Sequence, residues 1–432
     1  MNIVFFVIVA VAFAVAGWRQ IGFAGVAVDG SPMEALGQAA LHAAEGAVTL
    51  GIGLIGTMAL FLGIMKIAET AGLMRVVARL LRPLLHRLFP EVPQDHPAMG
   101  AMVMNVAANI LGLSNAATPF GVHAMQQLDR LNPEKGTASD AMVLFLAINT
   151  ANVTLLPTHV MALRTAIGSH DPAAVIPTTL FATLGSTLLA VLFAKWGARW
   201  FPSRPLPDIG VVGATVAERD GVGDRPLLDP SLPPPFPLWV SCLAGLAALA
   251  ILPLTLLWGR VLSPWIIPSL LVGVLGYGLL RKVAVYEAFV EGAKEGLTVS
   301  LRILPYLVAI LVAVGMFRES GAMDMLVAPL GRLTGSFGLP PEALSMAVLR
   351  SLSGSASFGY LAALLKDPAI GPDSYLGLLL STIYGSSETT FYVLAVYFGA
   401  AGVKRIRHAL LAGLFADLGG LVLSVLICRW VW

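Results

Sequence analysis

VTLGIGLIGTMALFLGIM, residues Val48–Met65, carries no charge from end to end. Crossing about 30 Å of hydrocarbon takes roughly 20 helical residues, so a run of this kind reads as a spanning helix. Working outward, comparable uncharged runs occupy Ala98–Val122, Ala173–Ala194, Phe236–Trp258 and Val261–Leu280. They are too long for barrel strands and lack a period of 2, so helices are expected. The whole chain agrees: 57% of its 432 residues are hydrophobic, 12% are charged, and the mean hydropathy is +0.82. Soluble domains carry about 25% charge. Too few charges remain to clothe a water-facing surface, and lipid must be the solvent for much of the chain. The expected fold is an all-α polytopic membrane protein of the plasma membrane, the inner membrane in a Gram-negative cell, with the bilayer as its first partner.

The segment from Asn2 to Gly17 is apolar, lacks a basic lead-in and is followed by Trp18 and Arg19. That order reads as a retained first helix ending at the interface. Lys66, Arg75, Arg79, Arg82 and Arg87 are interleaved with leucines and valines up to Pro90, as on a helix lying along the membrane surface, and the positive-inside tendency puts it on the cytoplasmic face. Cys242 and Cys428 both lie in apolar segments and read as small hydrophobes rather than a disulfide framework. A formal charge of +2 gives no reason to expect nucleic acid as a partner.

From Lys195 to Pro237 the chain carries mixed charges and the prolines Pro202, Pro205, Pro207 and Pro233–Pro235, which reads as a linker. It divides a membrane half at 1–194 from another at 238–432. The halves look related. Glu45-Gly46-Ala47 and Glu291-Gly292-Ala293 each precede an apolar run, and Gly72 follows Gly46 by 26 residues where Gly321 follows Gly292 by 29. An internal repeat accounts for this; chance recurrence of small residues in membrane helices is the alternative.

Polar residues interrupt the apolar runs of both halves. In the first, Asn105 and Asn109 precede Ser114-Asn115, with Pro119 and Gly121 beyond, and Asn149, Thr150, Asn152 and Thr154 lead into Pro157-Thr158-His159. In the second, Arg350 precedes Ser351-Leu352-Ser353-Gly354-Ser355-Ala356-Ser357, and Ser386-Ser387-Glu388-Thr389-Thr390 interrupts the run from Tyr375 to Ala400. An amide exposed to hydrocarbon is costly unless paired, so these side chains should face protein or a wet cavity. Pro119 and Gly385 are expected to mark helix breaks, whose open ends can hold ions or polar solutes. Glu388 is the only formal charge between Asp373 and Lys404. A carboxylate at that depth must be paired, neutralised or hydrated. It could form a structural pair with Arg350, or bind a cation, a proton or a polar group. Asp417 is a weaker candidate, and a lone His159 reads as a packing or hydrogen-bonding residue rather than a metal ligand.

No phosphate loop, dinucleotide fingerprint or metalloprotease helix occurs in the chain. Ser355 lacks the glycine spacing and strand context of a nucleophile elbow. No enzyme activity, cofactor or metal is expected.

Glu45-Gly46-Ala47, Gly63–Glu69, Leu80–Leu84, Phe89–Pro93 and Asn115–Gly121 resemble spore maturation protein A, whereas Glu291–Gly296, Ile303–Val308, Gly385–Tyr392 and Arg407-His408-Ala409 resemble spore maturation protein B. The chain thus looks like a fusion of the two, and the resemblance covers nearly all of it. It implies in each half a gate, or nucleoside-recognition, domain similar to domains of nucleoside carriers and of a ferrous-iron transport protein. It also implies an inner-membrane assembly tied, in spore formers, to dehydration of the spore core, with both parts in contact at equal stoichiometry.

The expectation from these readings is a transporter or permease-like gate for a small polar solute or ion, with a homo-oligomer among the oligomeric states the sequence leaves open. Asn105, Asn109, Asn115, Asn149 and Asn152 would line one side of the route, and Arg350, Ser353, Ser357, Ser387 and Glu388 the other. The alternative is a non-transporting scaffold or assembly factor in which the polar clusters only tie the halves together.

Overall fold

The computed structural model describes residues 2–23, 31–94, 96–201, 265–323 and 339–432, with isolated positions (236, 237, 239–241, 243, 246 and 325) between them. These residues are almost entirely α-helical. In chain order the helices are α1 (Asn2–Ile21), α2 (Pro32–Thr70), α3 (Leu73–Leu88), α4 (Pro97–Ile110), α5 (Ser114–Leu131), α6 (Asp140–Thr150), α7 (Thr158–Ala166) and α8 (Val175–Trp200). There follow α9 (Trp265–Leu280), α10 (Val285–Glu319), α11 (Pro341–Leu352), α12 (Gly354–Lys366), α13 (Tyr375–Gly385), α14 (Thr390–Ala400) and α15 (Ala409–Val431).

Four of these helices, α2, α10, α15 and the stretch Pro172–Trp200 that contains α8, are long and apolar enough to cross a membrane. Together with the composition they make this a polytopic membrane protein. α8 continues through Trp200, past Lys195 where the linker is expected to begin, and residues 202–235 lie outside the described residues. The run Phe236–Trp258 and Cys242 fall largely outside them as well.

α2 starts where Ser31 accepts a hydrogen bond from the Glu34 N–H, with Pro32 in the first turn, a favoured helix start. At 39 residues it is about 58 Å long, well beyond the hydrocarbon thickness. It lies against α10, and the register runs backwards: Gly292 meets Leu62 and Lys66, Gly296 meets Ala59, and Gly315 meets Ala39 and Ala43. The two helices are therefore antiparallel. Glycine permits this approach, since a Cβ on Gly296 would stand 2.7 Å from the Ala59 backbone. At one end of the crossing Lys66 Nζ reaches Glu69, Glu291 and Glu295 at 3.5, 3.4 and 3.4 Å. α8 and α15 pair in the same antiparallel sense, Gly185 beside Leu423, Leu189 beside Gly419 and His408 Nε2 3.0 Å from the Ala194 carbonyl.

α3 follows Gly72, whose φ of +79° suits glycine, and is strongly amphipathic. It buries Met74, Ala78 and Leu85 and turns Arg75 and Arg87 outward, the arrangement read from its charge spacing.

The remaining helices are short. α6, α13 and α14 have 11 residues each, about 16 Å, half the depth of a bilayer. They follow one another in pairs separated by a few residues: α4 and α5, which pack against each other, at 111–113, α6 and α7 at 151–157, α11 and α12 at Ser353, α13 and α14 at 386–389. Gly385 is the last residue of α13, where a break was expected. Pro119 does not mark one: it lies inside α5. The chain turns earlier, at Gly112, whose φ is +74°. There the Leu113 N–H reaches the Ala108 carbonyl at 2.8 Å and the Gly112 N–H reaches the Asn109 carbonyl at 3.0 Å, a Schellman ending. Proline forfeits one bond within α5, whereas the left-handed glycine closes α4 completely.

The packed core does not divide at the linker. One cluster joins Met102, Val103 and Phe145 to Tyr397, Phe398 and Ala416. A second joins Leu54, Phe61 and Met161 to Leu361, Leu379 and Cys428, the last a buried free thiol.

Candidate functional site

Three of the four interruptions supply walls to one cavity of about 460 Å³, and the fourth, between α4 and α5, contributes Asn109 and Gly112. Asn152, Thr154 and His159 come from the α6–α7 break, Ser353 and Ser355 from α11–α12, and Glu388 and Thr389 from α13–α14. Arg350, Tyr384 and Tyr392 complete the polar and aromatic surface. The breaks also bond to one another: the Glu388 N–H donates to the Thr150 carbonyl at 2.9 Å, and the Leu155 N–H donates to the Ile110 carbonyl at 3.0 Å.

Arg350 is 6% exposed and held from three sides. Its Nε donates to the Ser387 carbonyl at 2.8 Å, its Nη2 lies 3.4 Å from Glu388 Oε2, and its Cζ sits 4.4 Å over the Tyr384 ring. The Glu388 side chain is 40% exposed, so the pair is open on the carboxylate side and closed on the guanidinium side.

Of the ten residues singled out by sequence, Asn109, Asn152, Arg350, Ser353 and Glu388 line the cavity. Asn105 and Asn149 stand behind the wall. Asn105 donates to the Ala117 carbonyl at 2.8 Å and lies 3.2 Å from Tyr397 Oη, which donates to Asn149 Oδ1 at 3.3 Å, and Asn109 donates to that same oxygen at 3.0 Å. This chain of side chains ties the α4 region to α14. Ser357 is buried and bonds back to the carbonyls of Ser353 and Gly354. Ser387 contributes its carbonyl to Arg350. Asn115 lies in the first turn of α5, and its side chain is outside the described ones.

His159, read as a packing or hydrogen-bonding residue, reaches the cavity, as do Tyr384 and Tyr392. The available signal was spacing, since the two tyrosines flank Glu388 four residues to either side. Asp417 stands apart from the cavity wall: its Oδ2 accepts from Ser351 at 2.6 Å and Thr390 at 2.8 Å, and its Oδ1 is buried without a partner.

Two further ion pairs join the broken helices at their outer ends. Arg164, at the end of α7, is fully buried and bonds to Asp373, just ahead of α13, at 2.9 Å and to the Pro372 carbonyl at 2.5 Å. Arg407, beyond α14, reciprocates by meeting Asp140, the first residue of α6, at 2.6 Å. Each arginine follows one broken helix and grips the beginning of the other. Asp373 lies in a loop, where partial burial alone would raise its carboxyl pKa. The Ser169 hydroxyl at 2.5 Å, the His170 N–H at 2.8 Å and Arg164 outweigh that and hold it below the usual carboxylate range. Among the described residues, no group of three or more His, Cys, Asp or Glu side chains is placed to hold a metal ion.

The sequence family named Gate, described as nucleoside recognition, matches residues 51–199 and 300–404, more than half of the chain and all four interruptions. This chain belongs to the Gate family. Spore maturation protein B of Bacillus subtilis is 46% identical over 166 residues, 38% of this chain and 92% of that protein. Spore maturation protein A of the same organism is 41% identical over 164 residues, 38% of this chain and 84% of that protein. The Gate chain described here thus unites counterparts of both spore maturation proteins in one polypeptide. Among solved structures, the YdaH transporter of Alcanivorax borkumensis aligns with 99% of this chain and 98% of its own at 15% identity and a TM-score of 0.40, a likeness too slight to assign fold or function.

Proposed function

We propose that this protein moves a small polar solute or ion across the membrane, working as a permease-like gate built from two related halves, 1–194 and 238–432. The observation that carries the reading is the cavity: both halves wall it, and charged and amide side chains face it at the interruptions of apolar helices. Hydrocarbon tolerates non-helical backbone only where it is buried in protein or lines a cavity. The antiparallel pairing of α2 with α10 and of α8 with α15 supports an inverted repeat, because corresponding helices of inverted halves run in opposite directions. In such proteins the binding site lies at the repeat interface near mid-membrane, and one half rocks against the other.

In this reading Asn109, Asn152, Arg350, Ser353 and Glu388 contact the solute by hydrogen bonding and charge compensation, with no covalent chemistry. Asn105, Asn149, Ser357 and Ser387 hold those groups in place, and Asn115 is assigned to the same wall by its position in α5. The reciprocal pairs Arg164–Asp373 and Arg407–Asp140, at the outer ends of the broken helices, tie α7 to the start of α13 and the segment after α14 to the start of α6.

A scaffold without transport would seal its polar groups against one another, as the Asn105–Tyr397–Asn149 chain does. The open Glu388 carboxylate and the cavity favour transport. Flux into proteoliposomes, surveyed over anionic, cationic, zwitterionic and neutral solutes and small ions, tests the proposal. Saturable flux of one class is expected, and absence of flux for every class with folded protein would reject it.

A further inference from the structure

Hydrogen-bonding capacity around the cavity is uneven, and the imbalance points to one class of solute. Four carbonyls at the helix breaks are taken: Ile110 by the Leu155 N–H, Thr150 by the Glu388 N–H, Ala151 by the Thr187 hydroxyl and Ser387 by Arg350. Fewer of the amides at the helix starts are: the Thr158 N–H donates to the Leu156 carbonyl at 2.8 Å and the Ala356 N–H to the Ser353 hydroxyl, while the others lack a side-chain cap. The first N–H groups of a helix have no acceptor within it, and α7 and α14 begin at Pro157 and Thr389 without a side-chain cap. At the start of α12, the Ser353 hydroxyl serves only Ala356. All three starts reach the cavity, through Thr158 and His159, Gly354 and Ser355, and Thr389 and Tyr392.

Arg350 adds a separate observation. Its Nε and Nη2 are engaged, but none of its hydrogen bonds uses Nη1. That nitrogen lies 3.3 Å from where a Cβ on Gly354 would stand, and Thr389 Oγ1 lies 3.0 Å from the same point. A free guanidinium N–H is therefore held at the junction where α12 and α14 begin, in a cradle kept open by a glycine.

Building on the reading of the cavity as a solute site, we propose that it binds a small organic solute through an oxyanion, a carboxylate or phosphoryl group. The oxyanion sits between Arg350 Nη1 and the starts of α12 and α14. Glu388 Oε1, which takes part in none of that residue's bonds, accepts a donor from the other end of the solute. Backbone amides and a buried guanidinium make charge-assisted bonds that a cation or a neutral polyol cannot replace.

Calorimetric titration of the full chain in lipid nanodiscs tests this, with inorganic phosphate and the dicarboxylate glutarate as probes and choline and glycerol as controls at matched ionic strength. Saturable binding of at least one anion is expected, with none for the controls. Arg350→Gln should weaken it about tenfold or more, and Arg350→Lys less. Should Arg350→Gln fail to fold, Ser355→Ala and Gly354→Ala serve instead, the second filling the cradle with a methyl group, and each should weaken the anion. Failure of both anions to bind, binding of choline or glycerol alone, or anion affinity unchanged in the folded variants would overturn the assignment. Anion binding without flux would remove transport and leave this site standing, whereas flux of a cation or neutral solute without anion binding would remove only this site.

Discussion

Glu388 and Tyr397 illustrate the two fates of a polar side chain at membrane depth. Glu388 is open to the cavity, so Glu388→Gln should alter the rate or the pH dependence of whatever flux is found, with little loss of melting temperature in detergent; unchanged transport would remove it from the mechanism. Tyr397 bridges Asn105 and Asn149 in a sealed network. Tyr397→Phe should cost about 1 kcal/mol of stability, measured by unfolding in mixed micelles, without changing solute selectivity. Both kinds of residue were legible in the sequence as polar atoms stranded in apolar runs. Which ones face open space was not, because an asparagine satisfied by a neighbour and one waiting for a solute look identical until the neighbour is known. His159 and the two cavity tyrosines escaped for the opposite reason: amphipathic rings read as core or as wall with equal ease.

At the scale of elements, glycine decides how closely the helices approach. Gly296→Leu should separate α2 from α10 and lower stability by several kcal/mol, read as loss of folded protein after detergent extraction, since backbone stands where the new side chain would go. The loop pairs are electrostatic. Asp373→Ala strips the fully buried Arg164 of its carboxylate and should cost roughly 3 kcal/mol at neutral pH, measured by unfolding in mixed micelles. Because the Asp373 carboxyl titrates below its ordinary range, its contribution is complete above that range and disappears as pH falls through the lowered value. Wild type and variant should therefore converge in stability only below about pH 4. Composition revealed the long helices, and the arginine-rich spacing revealed α3. The break after α4 was misplaced at Pro119 because proline is the more conspicuous residue, while the ending depends on a left-handed Gly112 that no spacing pattern announces.

For the whole molecule, the proposed likeness of the halves rests on Glu-Gly-Ala and the spacing of glycines, which carry no information on relative direction. Direction emerges only when α2 meets α10 and α8 meets α15 head to tail. Both core clusters draw residues from either side of the expected linker, so the two parts that resemble separate spore maturation proteins A and B pack on each other here in one chain. In the proposed reading, opposed halves around the polar cavity make a site reached from one side and then the other. Counterflow tests this most directly. Proteoliposomes are preloaded with an unlabelled solute found in the flux survey, and entry of the labelled form is followed. Alternating access gives transient accumulation of label above its outside concentration, abolished in Arg350→Gln; passive equilibration without accumulation, or no movement of any solute by folded protein, would contradict it.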